Sequence, residues 1–398
     1  MTDLILTINA GSSSIKFSLF TMAAATEVIR GQIDGLGVHP RLVAREGSEK
    51  VVDQTYPDGT GPADHAAALK SILALLQERH PDQQVTAVGH RIVHGGPDFK
   101  DSVRLDDTVL DRLKALNPLA PLHQPHNLSG VAAARAAFPH ALQVACFDTS
   151  FHRKHPWVND TFALPNQFYE AGVRRYGFHG LSYEYIVSRI AELGLADDSH
   201  KLVVAHLGNG ASMCAIRDGV SIASTMGFTA LDGLPMGTRC GQIDPGVLLY
   251  LIGEKGMTTE ELTKLLYNES GLKGLSGISN DVRDLEESDD PNAARALDYF
   301  VFRVRRELGA MAASLRGLDA VVLTGGIGEN AANLRHRILH DEEWLGISID
   351  DERNYAKEMR VSTDTSPVQV YVIPTNEEMM IARHTARIAA QESVGTAS

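Results

Sequence analysis

Cysteine is scarce in this chain: 398 residues hold only Cys146, Cys214 and Cys240, with no C-x-x-C pair among them. So sparse and odd a set excludes a disulfide scaffold and a cysteine-built zinc site. It fits a reducing compartment and leaves each thiol a packing role. Long apolar runs are missing as well. None could cross a bilayer, and no basic start with an apolar stretch precedes the first strand, so neither a membrane span nor a signal peptide is expected. Positive charge is in deficit, with 37 Lys and Arg against 50 Asp and Glu and a net charge of -13. That balance argues against nucleic acid as a partner. No G-x-x-x-x-G-K-[ST] occurs, which excludes a P-loop kinase. A cytoplasmic globular protein of two or three domains is expected, with 43% hydrophobic residues to build their cores.

The stretch that organises the chain is its start. Leu4 to Ile8 is apolar, Asn9-Ala10-Gly11-Ser12-Ser13-Ser14 is small and polar, and Ile15, Phe17 and Leu19 then alternate with Lys16 and Ser18. Period two means strand, so this reads as strand, tight turn, strand. Such a turn can aim backbone N–H groups and hydroxyls at an anion, phosphate above all, with Lys16 beside it. An ordinary serine-rich hairpin is the competing reading. The pattern returns at Lys201 to Leu207, Gly208-Asn209-Gly210-Ala211-Ser212 and Met213 to Arg217, with Asp218-Gly219 turning into a further strand. Two such units about half a chain apart read as an internal duplication. A third glycine turn, Thr324-Gly325-Gly326-Ile327-Gly328-Glu329-Asn330, follows the strand Asp319 to Leu323 and opens a helix, whose N-terminus suits an anion.

Between these units the periodicity predicts strands over Glu27 to Ile33, Val85 to Val93, Leu142 to Phe147 and Val368 to Ile373, and an edge hairpin over Arg41 to Gln54. Helices are expected over Pro62 to Gln77, Asp107 to Leu116, His126 to Ala137, Ser182 to Leu193 with Ser182 as cap, Pro245 to Ile252, Thr259 to Tyr267 and Pro291 to Leu315, and one ends near Ala390, with a frayed tail after Glu392. Gly274 to Asp284 reads as a small-residue loop. Arg91, His123 and Asp148 all fall at ends of apolar segments, where α/β enzymes place working groups. His179, between Arg174-Arg175, glycines and a helix start, reads as an anion contact, and Arg239 in the glycine-rich loop Thr225 to Gly241 as another. A dehydrogenase is the competing reading of the third turn. Gly326-x-Gly328-x-x-Ala331 fits a dinucleotide motif, but no strand ending in an acid follows about twenty residues on.

Taken together, Asn9-Ala10-Gly11-Ser12-Ser13-Ser14-x-Lys16, Gly89-His90-Arg91-x-Val93-His94-Gly95-Gly96, Phe147-Asp148-Thr149, Arg175-Tyr176-Gly177-x-His179-Gly180, His206 to Gly210, Met236-Gly237-Thr238-Arg239, Gly325 to Asn330 and Thr375-Asn376-Glu377-Glu378 resemble the acetate kinase family over essentially the whole chain. Its superfamily includes actin, sugar kinases and heat-shock chaperone ATPases. The resemblance implies an α/β fold of two duplicated actin-like (ribonuclease H-like) domains, each with a mixed central sheet, around a nucleotide cleft. The domains would be 1–149 and 150–379, with 380–398 packing back on the first and the second carrying nucleotide binding and dimerisation. It implies reversible, Mg²⁺-dependent (or Mn²⁺-dependent) transfer of the γ-phosphoryl group of ATP to acetate, giving acetyl phosphate and ADP for acetyl-CoA biosynthesis, by a cytoplasmic homodimer. A propionate or butyrate kinase of the family is the alternative. A chaperone-like ATPase on the same fold is disfavoured, since no room is left for a peptide-binding domain.

By the same resemblance Asp148, His179 and Arg239 are the catalytic positions. Arg91 would hold the substrate carboxylate, with Val93, Leu122, His123 and Phe178 about the acyl group. The nucleotide contacts would be Ser12, Ser14, Lys16, His206, Leu207, Gly208, Asn209, Gly210, Asp281, Val282, Arg283, Gly325, Gly326, Ile327, Gly328, Glu329 and Asn330. Asn9 and Glu377 would serve the magnesium. Gln124 stands where many members have Asn, and Ala230 and Asp232 where many have Pro and Glu; a small Ala230 leaves room for a longer acid. A carboxylic acid is already anionic at pH 7, so the difficulty is bringing an anion up to a polyanion rather than making the nucleophile. Asp148 is therefore expected to position magnesium or an arginine rather than to take a proton.

Overall fold

The structure is a computed structural model that describes residues 2–11, 13–57, 59–121 and 123–395. The expectations for Ser12 and Leu122 lie outside the described residues. The chain divides into two compact units, one built from the residues up to Phe151 together with those from Asn376 on, the other from His152–Thr375.

In the first unit eight strands form one sheet. They are β1 Thr2–Ala10, β2 Ser14–Thr21, β3 Glu27–Asp34, β4 Arg41–Glu46, β5 Glu49–Thr55, β6 Gln83–Ile92, β7 Val103–Arg104 and β8 Leu142–Phe147, in the order β5-β4-β3-β2-β1-β6-β8-β7. Alternation along β1 decides the two faces. Leu4, Leu6, Ile8 and Ala10 join the core that includes Leu69, Ile72 and Leu76 of the helix His65–Arg79 and Ala134 of the helix Gln124–Ala137. Ile5, with Phe20 and Ala87, meets Ala382 of the last helix, Glu377–Gly395. The sheet is thus covered on both faces, as strands with no solvated side require.

The second unit repeats the scheme with β9 Lys201–Leu207, β10 Ala211–Arg217, β11 Val220–Ser224, β12 Ala320–Thr324 and β13 Gln369–Val372, in the order β11-β10-β9-β12-β13. The runs β3-β2-β1-β6-β8 and β11-β10-β9-β12-β13 pair identically: antiparallel, antiparallel, parallel, parallel. The duplication read from the turns is therefore a duplication of the whole five-strand core. In each unit the parallel strands end on one side, and the residues that follow them share that edge, where open α/β sheets bind their ligands.

Several local expectations are corrected. The first helix begins at His65 rather than Pro62, because Asp64 caps it by accepting from Ala67 N. The helix expected from His126 begins at Gln124, with Pro125 in its first turn, where a missing N–H costs nothing. Gly274 to Asp284 is not all loop: helices Gly271–Ser276 and Val282–Glu286 occupy much of it, the second capped by Asp281. The last helix runs on to Gly395.

Candidate active site

In the first unit the site grows from the ends of β1, β6 and β8. Asn9, Arg91 and Asp148 follow or close these neighbouring strands, so the register itself brings them together. Arg91 Nε and Nη2 donate to Asp148 Oδ1 and Oδ2 at 2.9 and 2.6 Å, and Arg91 Nη1 donates to Asn9 Oδ1 at 3.3 Å. Glu377 Oε2 lies 3.7 Å from Arg91 Nε. Three of the five guanidinium N–H groups are thus used among the described residues, and two are left as possible donors to a ligand. Burial alone would lower the Arg91 pKa, but Asp148 and Glu377 outweigh it and hold the group charged. Burial likewise pushes the Asp148 carboxyl above its ordinary range, against the pull of Arg91. We assign Asp148 as ionised, since both its oxygens accept from one planar fork. Glu378 is pushed up by burial and by Glu377, and drawn back by Lys16 and Arg91.

The supporting residues were not visible as such in the sequence. Asn127 accepts from Val93 N at 2.9 Å and donates to Ala10 O at 2.8 Å, tying the ends of β1 and β6 to one helix. Gln124, the departure from Asn, is fully buried. Its amide accepts from His94 N at 3.2 Å and donates to His94 O at 3.0 Å and Leu113 O at 3.3 Å. The longer side chain reaches both backbone groups of one residue, His94, on the loop that carries Val93. His123 sits at the N-terminal boundary of the same helix, and Val93 is buried. Ser14 opens β2, and its carbonyl accepts from Gly11 N at 2.9 Å to close the first turn. Lys16 is exposed opposite Asn9 across the hairpin.

In the second unit the site gathers around the two glycine turns. A Cβ on Gly210 would lie 3.4 Å from His179 Nε2 and 3.9 Å from Arg239 Nη1; one on Gly208 would lie 3.9 Å from both Gly326 N and His206 Nε2. The His179 and His206 rings stack, with centroids 4.3 Å apart and planes 16° from parallel. Arg239 Nη1 donates to Ala230 O at 3.2 Å, which fixes its direction. Gly325 has φ +77°, and a side chain there would strike Leu207 O at 2.7 Å, so only glycine fits this turn. Glu329 spends its carboxylate inside the loop, accepting from Gly325 N at 2.9 Å and Thr375 N at 3.3 Å. Asn330 donates to Gly326 O. Arg335, wholly buried and unforeseen, grips Gly328 O at 3.1 Å and Glu329 O at 2.9 Å and joins them to Asn354.

Other expected nucleotide contacts are placed less directly. Leu207 and Val282 have buried side chains, so only their backbones could meet a ligand. Ile327 is half-buried and Gly326 exposed. Arg283 pairs with Asp281 through Nε and Nη2, and these bonds hold the Asp281 carboxyl down to about 2. Asn280 donates to Asn209 Oδ1 at 3.1 Å and so links that helix to the glycine turn. Phe178 is buried in this unit. The two arginines that precede His179 in the sequence have partners of their own. Arg175 pairs with Asp232 at 2.9 Å, while Arg174 lies over Tyr169 and near Asp160. Ser182 does not cap its helix, which begins at Gly180 with His179 at the cap position; its hydroxyl bonds His206 and Thr375 instead.

With that geometry in view, the comparison with known proteins is decisive. The model of the acetokinase family matches residues 4–383. The chain belongs to the acetokinase family. An acetate kinase of Methylocella silvestris is 54% identical over 400 residues, covering 98% of this chain and 99% of that one. Among solved structures, an acetate kinase of Porphyromonas gingivalis superposes with a TM-score of 0.87 at 36% identity, covering 97% of this chain and 100% of that one. A propionate kinase of Francisella tularensis superposes with a TM-score of 0.90 at 35% identity over the same shares. The family's fold is the α/β arrangement of two mixed sheets described above.

Proposed function

We propose that this chain is an acetate kinase, transferring the γ-phosphoryl group of ATP directly to a carboxylate oxygen of acetate. The observation that carries the reading is the second unit's cluster, in which the His179, His206 and Arg239 side chains border the Gly208–Gly210 turn and Gly326, with open space where a side chain would stand, lies beside Gly208. Donors fixed in advance around a charge-rich phosphoryl group are what this reaction needs, since the protein has little covalent work to do. Arg91, with two donors left over, receives the acid. Asp148 holds Arg91 in place, and no proton has to be removed because the acid arrives ionised.

The first unit also suits a magnesium ion. Asp148 and Glu377 both lie against the Arg91 guanidinium, and Glu378, raised by burial first and by Glu377 second, adds a third carboxyl nearby. Among the described residues no three His, Cys, Asp or Glu side chains form a metal cage. Mg²⁺ is usually held by one or two carboxylates together with phosphates and water. Asn9 and Glu377 would hold it, and Mg²⁺ there would neutralise phosphate oxygens.

A homodimer is part of the proposal. The helix Pro245–Gly253 buries none of its residues and exposes Val247, Leu249 (71%), Tyr250 and Ile252, and the next helix, Thr259–Asn268, buries none either. An apolar patch of that kind calls for a covering surface, and a second copy supplies one. Among the described residues no helix is long and apolar enough to cross a membrane.

The test is to incubate the protein with ATP, Mg²⁺, hydroxylamine and acetate, propionate or butyrate in turn. Acyl hydroxamate should form, with the highest kcat/KM for acetate. A preference for propionate would move the assignment to the family's longer-chain members, and Ala230 would be the reason. ADP release without hydroxamate from any acid would overturn it.

A further inference from the structure

Behind the two stacked imidazoles lies a second layer of hydroxyls. His179 Nδ1 is 2.8 Å from Ser212 Oγ, and Ser212 Oγ is 2.5 Å from Tyr183 OH. His206 Nδ1 is 2.8 Å from Ser182 Oγ, which is 2.8 Å from Thr375 Oγ1. The arrangement is generated by the fold. Ser182 and Tyr183 are consecutive residues in the first turn of the helix Gly180–Glu192, and Ser212 and His206 are cross-strand partners on β10 and β9. Ser182, Tyr183 and Ser212 are fully buried. In such surroundings a hydroxyl without a partner is costly, so the proton order along each chain is constrained.

The order follows from the chemistry of the groups. A phenol is the stronger acid of the two hydroxyls, with a pKa near 10, so Tyr183 donates to Ser212 rather than the reverse. Ser212 has one proton, and its remaining neighbour in the chain is His179 Nδ1, which must accept it. The ring proton of neutral His179 is then on Nε2, the atom that faces Gly210. The strained approach to this ring is also supported. His179 has φ +58°, outside the region a residue with a side chain prefers, and the preceding carbonyl, Phe178 O, is held by buried His152 Nε2 at 3.0 Å.

We infer that Tyr183 and Ser212 are positioning residues that lock His179 in the Nε2–H tautomer, so that it presents a hydrogen-bond donor to the phosphoryl group over the Gly208–Gly210 turn. The role in transfer rests on the kinase reading above, whereas the tautomer is a property of the protein alone. The two can therefore fail separately.

The test uses the full chain labelled with ¹⁵N-histidine. Long-range ¹H–¹⁵N correlations of His179, assigned with a His179→Gln sample, should show a bare Nδ1 and a protonated Nε2 without ligand. Tyr183→Phe and Ser212→Ala should each shift that pattern towards a tautomer mixture. In the hydroxamate assay they should lower kcat by about 10- to 100-fold, the scale seen when the outer partner of a working histidine is removed, with both KM values within about 3-fold. Ser212→Thr restores the hydroxyl and should recover most of kcat. A proton on Nδ1 in the unaltered protein would overturn the inference. So would unchanged kcat in both variants, or a rise in KM alone. Tyr183→Phe removes one oxygen and keeps the ring, so it carries the test if Ser212→Ala does not fold.

Discussion

Arg91 and Asp148 stand 57 residues apart in the chain and meet through two hydrogen bonds at the ends of adjacent parallel strands. The pair is a built device: Asp148 is buried to 2% exposure while Arg91 keeps part of its guanidinium open. The carboxylate orients the cation, and in the proposed reaction the remaining donors receive the acid.

Asp148→Asn keeps the shape of this pair and removes its charge. A misplaced substrate-binding group costs about 100-fold in turnover, and that is the loss expected in kcat. Asp148→Ala leaves Arg91 buried without its partner and should also lower stability by about 3–5 kcal/mol, read by denaturant unfolding. An Asp148→Asn enzyme that kept most of its turnover would refute the positioning role.

Gly325 and Gly326 separate strain from ligand contact. Gly325→Ala places a Cβ against Leu207 O in a left-handed backbone and should unfold the turn, lowering the melting temperature. Gly326→Ala meets nothing within 4 Å, so the melting temperature should hold. Nucleotide affinity, measured by calorimetry, should fall by tenfold or more if the γ-phosphate approaches that backbone. A Gly326→Ala protein with unchanged affinity places the phosphates elsewhere.

Acid should destabilise the chain earlier than its carboxylates alone would. Burial holds His90 at about 4, His152 at about 3 and His155 at about 2, against about 6.5 in the unfolded chain. These pKa values are depressed, so the unfolded chain binds more protons below pH 6.5. The stability these residues contribute is complete above pH 6.5 and is lost as pH falls, down to about 4 for His90, about 3 for His152 and about 2 for His155. With three such groups the slope reaches about 4 kcal/mol per pH unit. Glu378, whose pKa is raised, works the other way. Proton uptake on unfolding at pH 5, by calorimetry in buffers of different ionisation enthalpy, should show this excess, and an absence of uptake would contradict it.

Much of this was legible in the residues and some was not. Short apolar runs located the core strands, because strands covered on both faces are apolar throughout, and the repeated strand–turn–strand layout announced the duplicated sheet. The Arg91–Asp148 contact could be placed only at strand ends, since pairing 57 residues apart depends on register. Ser182 looked like a helix cap, and Arg174-Arg175 looked like the charged surroundings of an anion-contacting His179, because each type favours that role locally. Tertiary partners, His206 in one case and Asp160 and Asp232 in the other, claimed them instead. Arg335 gave no signal: a lone arginine in a helix reads as surface until the carbonyls of Gly328 and Glu329 are folded onto it.

Leu249→Glu puts a charge into the most exposed apolar position of the helix Pro245–Gly253. Sedimentation velocity should find the unaltered protein as a dimer and the variant as a monomer, with the fold kept by circular dichroism. A dimeric variant would move the interface elsewhere.

The most direct measurement concerns the oxygen that joins carbon to phosphorus. Acetate labelled with ¹⁸O in both carboxylate positions, turned over with unlabelled ATP and Mg²⁺, should give acetyl phosphate whose ³¹P resonance carries the isotope shift of one ¹⁸O bound to phosphorus. That result means that the carboxylate attacked the γ-phosphorus. Consumption of ATP with only unlabelled oxygens on phosphorus would contradict the account.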